Sequence, residues 1–341
     1  MDIELLTERA RIIRAVRSFF DEKHYLETDT PLLAPDLIPE SCLEVFETLR
    51  LQPGGSRKKA RPYWLIPSPE IWMKRLIAQH RQSMYQICKC FRNGESSGRF
   101  HSPEFTMLEY YTMGADYLDS LKITEELFLF LSESPGFSES RSPDLQPPFE
   151  RISMEEAFAK WAGFNLYDTA NERDGLEHEA RRLGLDPQGE LGIPELYDLI
   201  FIHCVEPNLP KDRPIVLMDY PAFVPCLAKK SSSGKTMERW ELYVRGIELA
   251  NCYSEETSAH EVRLFFENEK REKEKCSLVR HNIDDDYWKI FSSGKEFPKG
   301  KFYSEGKGFP PCSGVALGLD RLIMAFTGRS SIDSVLPFPM E

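Results

Sequence analysis

The stretch that decides the fold is CFRNGESSGRFHSPEFTMLEYY, from Cys90 to Tyr111. An apolar run ends at Arg92, a polar loop follows, and a second apolar run begins at Phe105, which is the pattern of two antiparallel strands joined by a long turn. Side chains alternate between the faces of a strand, so Phe105, Glu109 and Tyr111 share one face. The ring could stack on a base, and the acid and phenol could bind an ammonium group. A half-buried strand with an outward glutamate is the alternative.

The turn between these strands, 93–103, is long and polar and contains Arg99 and His101. Arg92 lies at its root, and the guanidinium fork makes two parallel hydrogen bonds with a phosphate or a carboxylate. The loop could therefore fold over a triphosphate. The alternative is an exposed hairpin loop with solvated charges.

A second segment, SGVALGLDRLIM at 313–324, places two glycines in a strand, which weakens the strand unless another group must approach its backbone. Asp320 is expected to cap the helix that follows. Arg321 then lies in the first turn of that helix, where the helix dipole disfavours a cation. An anionic ligand explains this position better than fold stability does. A salt bridge to a neighbouring acid is the alternative.

A third segment, WELYVRGIELANCYSEE at 240–256, predicts a β-hairpin with a two-residue turn at 245–246. Such a turn would place Glu241 opposite Ala250, with Glu241 and Glu248 diagonal on one face. Two close carboxylates suit Mg²⁺ bound to ATP phosphates, because Mg²⁺ prefers oxygen ligands. Surface acids at a hairpin edge are the alternative.

Composition limits the class of protein. With 341 residues, 41% hydrophobic and 29% charged, the chain is typical of a soluble globular protein with a large core. The net charge of −12 argues against a protein that binds a nucleic-acid backbone, so tRNA is not expected as a partner. Eight cysteines without regular spacing indicate reduced thiols and a cytoplasmic location. No apolar run is long enough to span a membrane, so no membrane association is expected.

Hydrophobic periodicity predicts an α+β fold, with a mainly antiparallel sheet flanked by helices. The chain is expected to form a single domain, 1–341, with a central helical insertion at about 151–210 and a polar, Gly/Lys-rich excursion at about 281–311. A linker is expected at 134–150 and a hairpin tip at 52–61. Helices are predicted at 5–24, 69–80, 118–132, 264–275 and 320–327, and strands at 83–91, 105–111, 214–220 and 315–319.

Together these segments resemble the three signature motifs of class II aminoacyl-tRNA synthetases, in particular the lysyl branch. The helix and strand before Pro31 resemble motif 1, the dimer interface, while 91–111 resembles motif 2 and 314–322 resembles motif 3. SPEIWMKRL at 68–76 and GIELANCYSEE in the predicted hairpin resemble the lysyl-type amino-acid pocket. The resemblance covers nearly the whole chain. It implies the class II synthetase catalytic fold, ATP and Mg²⁺, and a homodimer.

Lysyl-tRNA synthetases carry an anticodon-binding domain of roughly 100 residues before the catalytic domain, whereas here the catalytic motifs begin almost at Met1. The chain is in this respect similar to the elongation factor P lysine ligases, paralogues that attach (R)-β-lysine to a lysine of that translation factor. Ala316 stands where lysyl-tRNA synthetases have glycine. One methyl group in a pocket is worth ~1–3 kcal/mol and can alter which lysine isomer fits. Elongation factor P and (R)-β-lysine or lysine are the expected partners.

The resemblance also implies residue roles. Arg92 would contact the α-phosphate and the substrate carboxylate, Phe105 and Arg321 would sandwich the adenine, and Arg321 would also lie near the γ-phosphate. Two carboxylates would bind Mg²⁺: Glu241 and Glu248. The substrate's amino groups would contact Glu70, Glu109, Tyr111 and Glu255. The other residues expected around ATP are Asn93, Gly94, Glu95, His101, Ser102, Leu249 and Gly318, and those around the amino acid are Ser68, Pro69, Asn251, Tyr253 and Ala316.

The loop after Arg92 departs from the family pattern. It is one residue longer than usual, Gly94-Glu95 replaces the usual acidic residue, and Ser102 stands where asparagine is common.

Two other functions stay open. One is a lysine activator that acts on tRNA or another acceptor; the other is a non-catalytic paralogue that senses an amino acid, although such proteins tend to lose the arginines and acids kept here. SSSGKT at 231–236 is not a phosphate loop, since Lys229 stands where that pattern requires glycine.

Overall fold

The computed structural model describes residues 3–55, 59–94, 98–134, 143–170, 172–293 and 307–339. The strands are β1 (Leu26–Glu27), β2 (Leu33–Ala34), β3 (Glu47–Arg50), β4 (Arg61–Leu65), β5 (Met84–Phe91), β6 (Glu104–Met113), β7 (Glu150–Ser153), β8 (Ile215–Pro221), β9 (Thr236–Val244), β10 (Ile247–Ser254) and β11 (Cys312–Gly318). The helices are α1 (Ile3–Glu22), α2 (Glu70–His80), α3 (Tyr117–Glu133), α4 (Met154–Trp161), α5 (Leu166–Thr169), α6 (Arg173–Arg182), α7 (Ile193–Ile200), α8 (Ala259–Cys276) and α9 (Leu319–Thr327).

The large sheet has eight strands in the order β1-β5-β6-β11-β10-β9-β8-β7, and a smaller sheet has the order β2-β4-β3. The outer pairs β1–β5 and β7–β8 of the large sheet are parallel, and the pairs between them are antiparallel. The predicted α+β architecture, a mainly antiparallel sheet flanked by helices, is therefore confirmed. Among the described residues, no helix is both long enough and apolar enough to cross a membrane.

One face of the central strands forms the core. Leu108 and Tyr110 of β6, and Val315 and Leu317 of β11, are fully buried in one cluster with apolar residues of α1, α3 and α9. Because side chains alternate along a strand, the residues between them point to the opposite face. The helices that cover the first face thus leave the second face of β6, β11 and β10 for polar residues.

The hairpin of β9 and β10 turns at Arg245 and Gly246, both with positive φ, as a type I′ turn requires. Glu248 pairs with Tyr243 as the turn dictates, but the register then shifts at a β-bulge and Glu241 pairs with Asn251. The prediction that Glu241 lies opposite Ala250 is therefore wrong, because the bulge adds one residue to β10.

The bulge decides which side chains of β10 face the polar side of the sheet. Without it, Glu248 would share its face with Ala250 and Cys252. With it, Ala250 and Cys252 are buried in the core, and Asn251 and Tyr253 lie on the face of Glu248. One extra residue thus moves the second half of the strand to the other side.

The segment between β7 and β8 contains α4 to α7 and a π-helical turn at Phe201–Val205, with its own buried cluster that includes Phe158, Leu196 and Ile200. The segment expected to be a polar excursion is partly packed: Tyr287, Ile290 and Phe291 are buried, because a 3₁₀ helix at Tyr287–Phe291 lies against α2 and α8. Residues 294–306 of that segment, and 135–142 of the expected linker, lie outside the described residues.

Candidate active site

The register of the central strands arranges the predicted site residues in rows on the polar face. The first row runs Glu109, Ala316, Asn251 and Glu241, on β6, β11, β10 and β9. The second row runs Tyr111, Gly314, Tyr253 and Arg239. Residues in neighbouring strands of one row lie about 5 Å apart. Segments more than two hundred positions apart in the sequence therefore meet in one site.

A cavity opens beside the first row, toward the start of β6 and the end of β11. It collects ten of the residues predicted to bind ATP, metal or amino acid: Arg92, His101, Ser102, Phe105, Glu248, Leu249, Asn251, Ala316, Gly318 and Arg321. Arg92 lies 5.3 Å from the ring centre of Phe105. Residues absent from the prediction also line it: Phe100, Thr106, Met107, Asp320 and Ile332.

Arg321 is held by backbone carbonyls. Its Nη1 donates to the carbonyl of Glu248 at 2.6 Å, and its Nε donates to the carbonyl of Phe100 at 3.3 Å. Over the residues that the structure describes, no carboxylate forms an ion pair with Arg321, so the salt bridge considered as an alternative is absent there. The guanidinium keeps its charge available to an anionic ligand at the cavity.

Asp320 does not cap α9, and that prediction is wrong. The N-cap residue is Gly318, and no side chain caps the helix. Asp320 Oδ2 instead accepts a hydrogen bond from the backbone N–H of Thr106 at 2.6 Å, and Oδ1 pairs with Arg9 Nη1 at 2.6 Å. A tertiary contact has replaced the local one, and it fixes β6 beside Phe105 to helices α1 and α9.

The cavity fits a nucleotide. Besides two arginines and an aromatic ring, it contains the Ser102 hydroxyl, which is buried and has no hydrogen-bond partner among the described residues. A buried hydroxyl without a partner costs free energy, which a polar ligand would recover. The donors and the ring match a phosphate chain and a base.

The two carboxylates predicted to bind metal share a face. Glu241 accepts hydrogen bonds from Arg239 and, at 2.9 Å, from the Tyr243 hydroxyl. Burial and the charge of Glu241 raise the pKa of Glu248, while Arg321 and Arg92 oppose that rise. Among the described residues, no group of three or more His, Cys, Asp or Glu side chains could hold a metal alone. Two acids without further protein ligands fit a cation that takes its other ligands from phosphate.

The other side of the site, toward the end of β6 and the end of β10, is acidic and buried. Glu109 accepts hydrogen bonds from the hydroxyls of Ser68, at 2.8 Å, and Tyr111, at 2.6 Å. Burial, together with the charge of Glu70, raises the pKa of Glu109 to about 8. A carboxylate in such a place favours a cationic partner, so this end of the site suits an ammonium group.

Lys74 lies between two other predicted residues. Its Nζ is 2.6 Å from Glu70 Oε1 and 2.6 Å from Glu255 Oε2. Lys74 is not among the residues that the sequence predicts for the site. The available signal was its position among Ile71, Ile77 and Ala78 on the buried face of α2, where a lysine is unusual.

Some predicted residues lie elsewhere. Asn93 donates from its backbone to Glu44 and from Nδ2 to the Val45 carbonyl, and its Oδ1 accepts from Gly94; neither Asn93 nor Gly94 lines the cavity. Glu95 lies outside the described residues. Pro69 precedes α2 as its N-cap residue.

Comparison with known proteins agrees with this geometry. Residues 3–341 match the family of class II tRNA synthetases (D, K and N). The chain is 33% identical over 340 residues to the elongation factor P–(R)-β-lysine ligase of Avibacterium paragallinarum, covering 99% of this chain and 96% of that protein. The chain belongs to this family of ligases within the class II synthetases.

Other members of the ligase family show the same extent of similarity. The elongation factor P–(R)-β-lysine ligase of Proteus mirabilis is 33% identical, with 98% of this chain and 94% of that protein covered. The ligase of Histophilus somni strain 2336 is 34% identical, with 99% of this chain and 96% of that protein covered. The similarity thus extends over nearly the whole length of this chain and of these ligases.

Proposed function

We propose that this chain activates (R)-β-lysine, or lysine, with ATP and transfers the acyl group to the ε-amino group of a lysine on elongation factor P. The observation that carries the proposal is the layout of one sheet face, with a cavity at Arg92, Phe105 and Arg321 on one side of Ala316 and the buried acids Glu109 and Glu255 on the other. The first half of that face suits a nucleotide and the second half suits ammonium groups. The similarity to ligases of the same name supports the choice of substrates.

In the first step, a carboxylate oxygen of the amino acid attacks the α-phosphorus of ATP, and the bond to the β-phosphate oxygen breaks. The products are an acyl-adenylate and pyrophosphate. Arg92 neutralises the charge that develops on the α-phosphate, and Phe105 and Arg321 hold the adenine between them. Positioning and charge neutralisation supply the rate, so the reaction needs no protein nucleophile.

In the second step, the neutral ε-amine of the acceptor lysine attacks the carbonyl carbon of the adenylate. An amide bond forms, AMP leaves, and one proton passes to solvent. The acids Glu70, Glu109 and Glu255 keep the amino groups of the bound substrate protonated and paired, so that they do not compete with the acceptor amine.

Glu241 and Glu248 would hold Mg²⁺. When bound, the ion would neutralise phosphate charge and orient the leaving pyrophosphate. Arg239 and Tyr243 fix the Glu241 carboxylate from two sides, so the chain itself orients one ligand before the ion arrives.

We propose further that the chain acts as a cytoplasmic homodimer that does not require tRNA. Leu26, Leu32 and Leu33, in the segment that resembles motif 1, are 45%, 37% and 46% exposed, and a second copy would cover them. All eight cysteines are free, which suits a reducing compartment.

The test is intact mass spectrometry of elongation factor P after incubation with the protein, ATP, Mg²⁺ and either (R)-β-lysine or lysine. We expect the acceptor to gain the mass of one lysyl residue, with the larger yield from (R)-β-lysine. The control is an acceptor in which the modified lysine is replaced by arginine. Aminoacylation of tRNA with an unmodified acceptor protein would contradict the proposal.

A further inference from the structure

Lys74 is a buried cation inside the acidic end of the site. It is 1% exposed, and its ammonium lies 2.6 Å from carboxylate oxygens of both Glu70, one turn earlier on α2, and Glu255, which follows β10. It therefore joins the helix to the sheet through two acids of the predicted pocket.

Stability does not require an ion pair in this place. Removing an ammonium from water costs several kcal/mol, and buried ion pairs are often replaced by apolar residues of similar size without loss of stability. The neighbours of Lys74 on α2 are Ile71 and Ala78, so an apolar side chain would continue the buried face of the helix. The reason for a positive charge at position 74 therefore lies in the function of the pocket.

The charged and titratable groups around Lys74 and its partner Glu70 come from every element that packs there. They are Glu70 on α2, Glu109 and Tyr111 on β6, Tyr253 and Glu255 at the end of β10, Cys312 on β11, Tyr287 on the 3₁₀ helix, and Glu40 on the chain before β3. Burial alone would lower the pKa of Lys74, but the carboxylates of Glu255 and Glu70 raise it well above its ordinary value. Lys74 therefore stays charged at every physiological pH.

The net charge of the acidic end of the site follows from its three acids and one lysine. Glu70, Glu109 and Glu255 carry three negative charges when ionised, and Lys74 carries one positive charge, which leaves two negative charges. A diamino acid brings two ammonium groups to this end and its carboxylate to Arg92. The count matches a substrate with two ammonium groups.

We propose that Lys74 is a specificity-determining residue. Its ammonium neutralises one of the three acidic charges of the pocket, so that the two remaining charges match a substrate with two ammonium groups. This inference rests on the proposed function for the identity of the substrate, but not for the charge of the pocket. Lys74 acts through Glu70 and Glu255, whose carboxylates it bridges where α2 meets the end of β10.

The proposal predicts how the acids behave when the cation is removed. Lys74 lowers the pKa values of Glu255 and Glu109, while burial raises them. In a Lys74→Met variant these pKa values rise further, so a larger share of both acids is protonated at neutral pH, and a protonated acid no longer pairs with a substrate ammonium. The KM for (R)-β-lysine at pH 7 should rise at least tenfold, whereas the KM for ATP should change less than threefold.

The experiment compares the wild type with Lys74→Met, Lys74→Arg and Arg75→Met. The last variant is the matched control, because Arg75 is a cation on the same helix that pairs with Asp284 outside the pocket. Pyrophosphate exchange is measured from pH 6 to pH 9 with (R)-β-lysine. We expect the acid limb of kcat/KM to move upward by about one pH unit in Lys74→Met only. A loss of kcat/KM that is equal at every pH would assign Lys74 a structural role and overturn the proposal.

A second measurement needs no substrate. Thermal unfolding of the ligand-free variants is followed over the same pH range. Acids with raised folded pKa values stabilise the protein at low pH and lose that contribution as pH rises through the folded pKa. The deficit in Tm of Lys74→Met should therefore grow with pH, and parallel curves would overturn the proposal. A wild type that activates no diamino acid would instead overturn the proposed function, while the unfolding curves would still decide whether Lys74 sets the charge of the pocket.

Discussion

Gly314 faces Tyr111 across β11 and β6 with no room for a side chain. A Cβ atom on Gly314 would lie 2.5 Å from Tyr111 Cε1 and 2.3 Å from Glu255 Oε1. The glycine is thus required by two buried residues of the acidic end of the site. A methyl group there must displace an acid or a phenol that the proposed function assigns to the substrate.

Gly314→Ala should therefore impair amino-acid activation more than nucleotide binding. Overpacking a buried site costs ~1–3 kcal/mol, so kcat/KM for (R)-β-lysine in pyrophosphate exchange should fall by about ten- to a hundredfold. Ser313→Ala is the control on the same strand, because its hydroxyl bonds to Cys252 and the Tyr253 carbonyl rather than to the pocket. An unchanged KM for the amino acid in Gly314→Ala would show that the pocket lies elsewhere.

Arg92 should dominate the chemistry of activation. Deleting a group that stabilises charge in the transition state costs about 3 kcal/mol, or a hundredfold or more in rate. Arg92→Ala should lose at least that factor in pyrophosphate exchange. Arg92→Lys should recover part of it, since lysine keeps the charge but not the two-pronged geometry. Near-normal exchange by Arg92→Ala would refute the role given to this residue.

Glu109 should make the ligand-free protein less stable as pH rises. Its pKa is about 8 in the folded protein, above that of an exposed glutamate, because burial and Glu70 disfavour its charge. Its stabilising contribution is complete below the unfolded pKa and is lost as pH rises through the folded value, which amounts to roughly 2 kcal/mol between pH 6 and pH 9. In Glu109→Gln this loss should disappear.

Differential scanning calorimetry at pH 6 and pH 9 measures that difference. The wild-type Tm should fall more than the Tm of Glu109→Gln, and saturating (R)-β-lysine should raise the wild-type Tm most at the higher pH. Glu104→Gln, on the exposed edge of the same strand, is the control. Equal pH dependence in wild type and Glu109→Gln would mean that Glu109 is ionised throughout.

The sequence predicts the parts of the site that depend on local rules. Alternation along β6 places Glu109 and Tyr111 on one face, and the turn at 245–246 sets the pairing of Glu248. The pairing of Glu241 is wrong after the bulge, since nothing in ELAN marks an extra residue. Without the bulge, Asn251 and Tyr253 would face the core, so their place in the site could be predicted from the family resemblance but not from alternation.

Long-range contacts account for the other differences. Asp320 has the ideal residue type for an N-cap, but Arg9 and the Thr106 N–H, distant in sequence, bind it more strongly than the end of α9 does. Lys74 was predicted only as part of a helix, because its two partners become neighbours when α2 packs beside the end of β10. Such contacts follow from the packed fold and leave no periodic signal.

Arg9 should couple the stability of the protein to its nucleotide site. It pairs with the buried Asp320 and donates to the Thr106 hydroxyl at 2.9 Å, next to Phe105. Breaking a buried pair costs ~3–5 kcal/mol, so Arg9→Met should lower Tm by several degrees and raise the KM for ATP. Arg17 lies on the same helix as Arg9 and forms an exposed ion pair with Glu27 of β1, so Arg17→Met should cost less than about 1 kcal/mol. A loss of stability without any change in the KM for ATP would restrict Arg9 to a structural role.

Ala316 should decide between lysine isomers. It lies between Glu109 and Asn251 in one row of the sheet and lines the cavity where the acidic end meets the nucleotide end. Under the proposed function its methyl group would border the part of the substrate between the carboxylate and the first amino group, where α- and β-lysine differ. Ala316→Gly removes that methyl, and one methyl group in a pocket is worth ~1–3 kcal/mol of discrimination, or about 10- to 200-fold. The ratio of kcat/KM for (R)-β-lysine to that for lysine, measured by pyrophosphate exchange, should fall by that factor, mainly through better use of lysine. A ratio that stays constant would place the isomer-determining contact on another residue of the row.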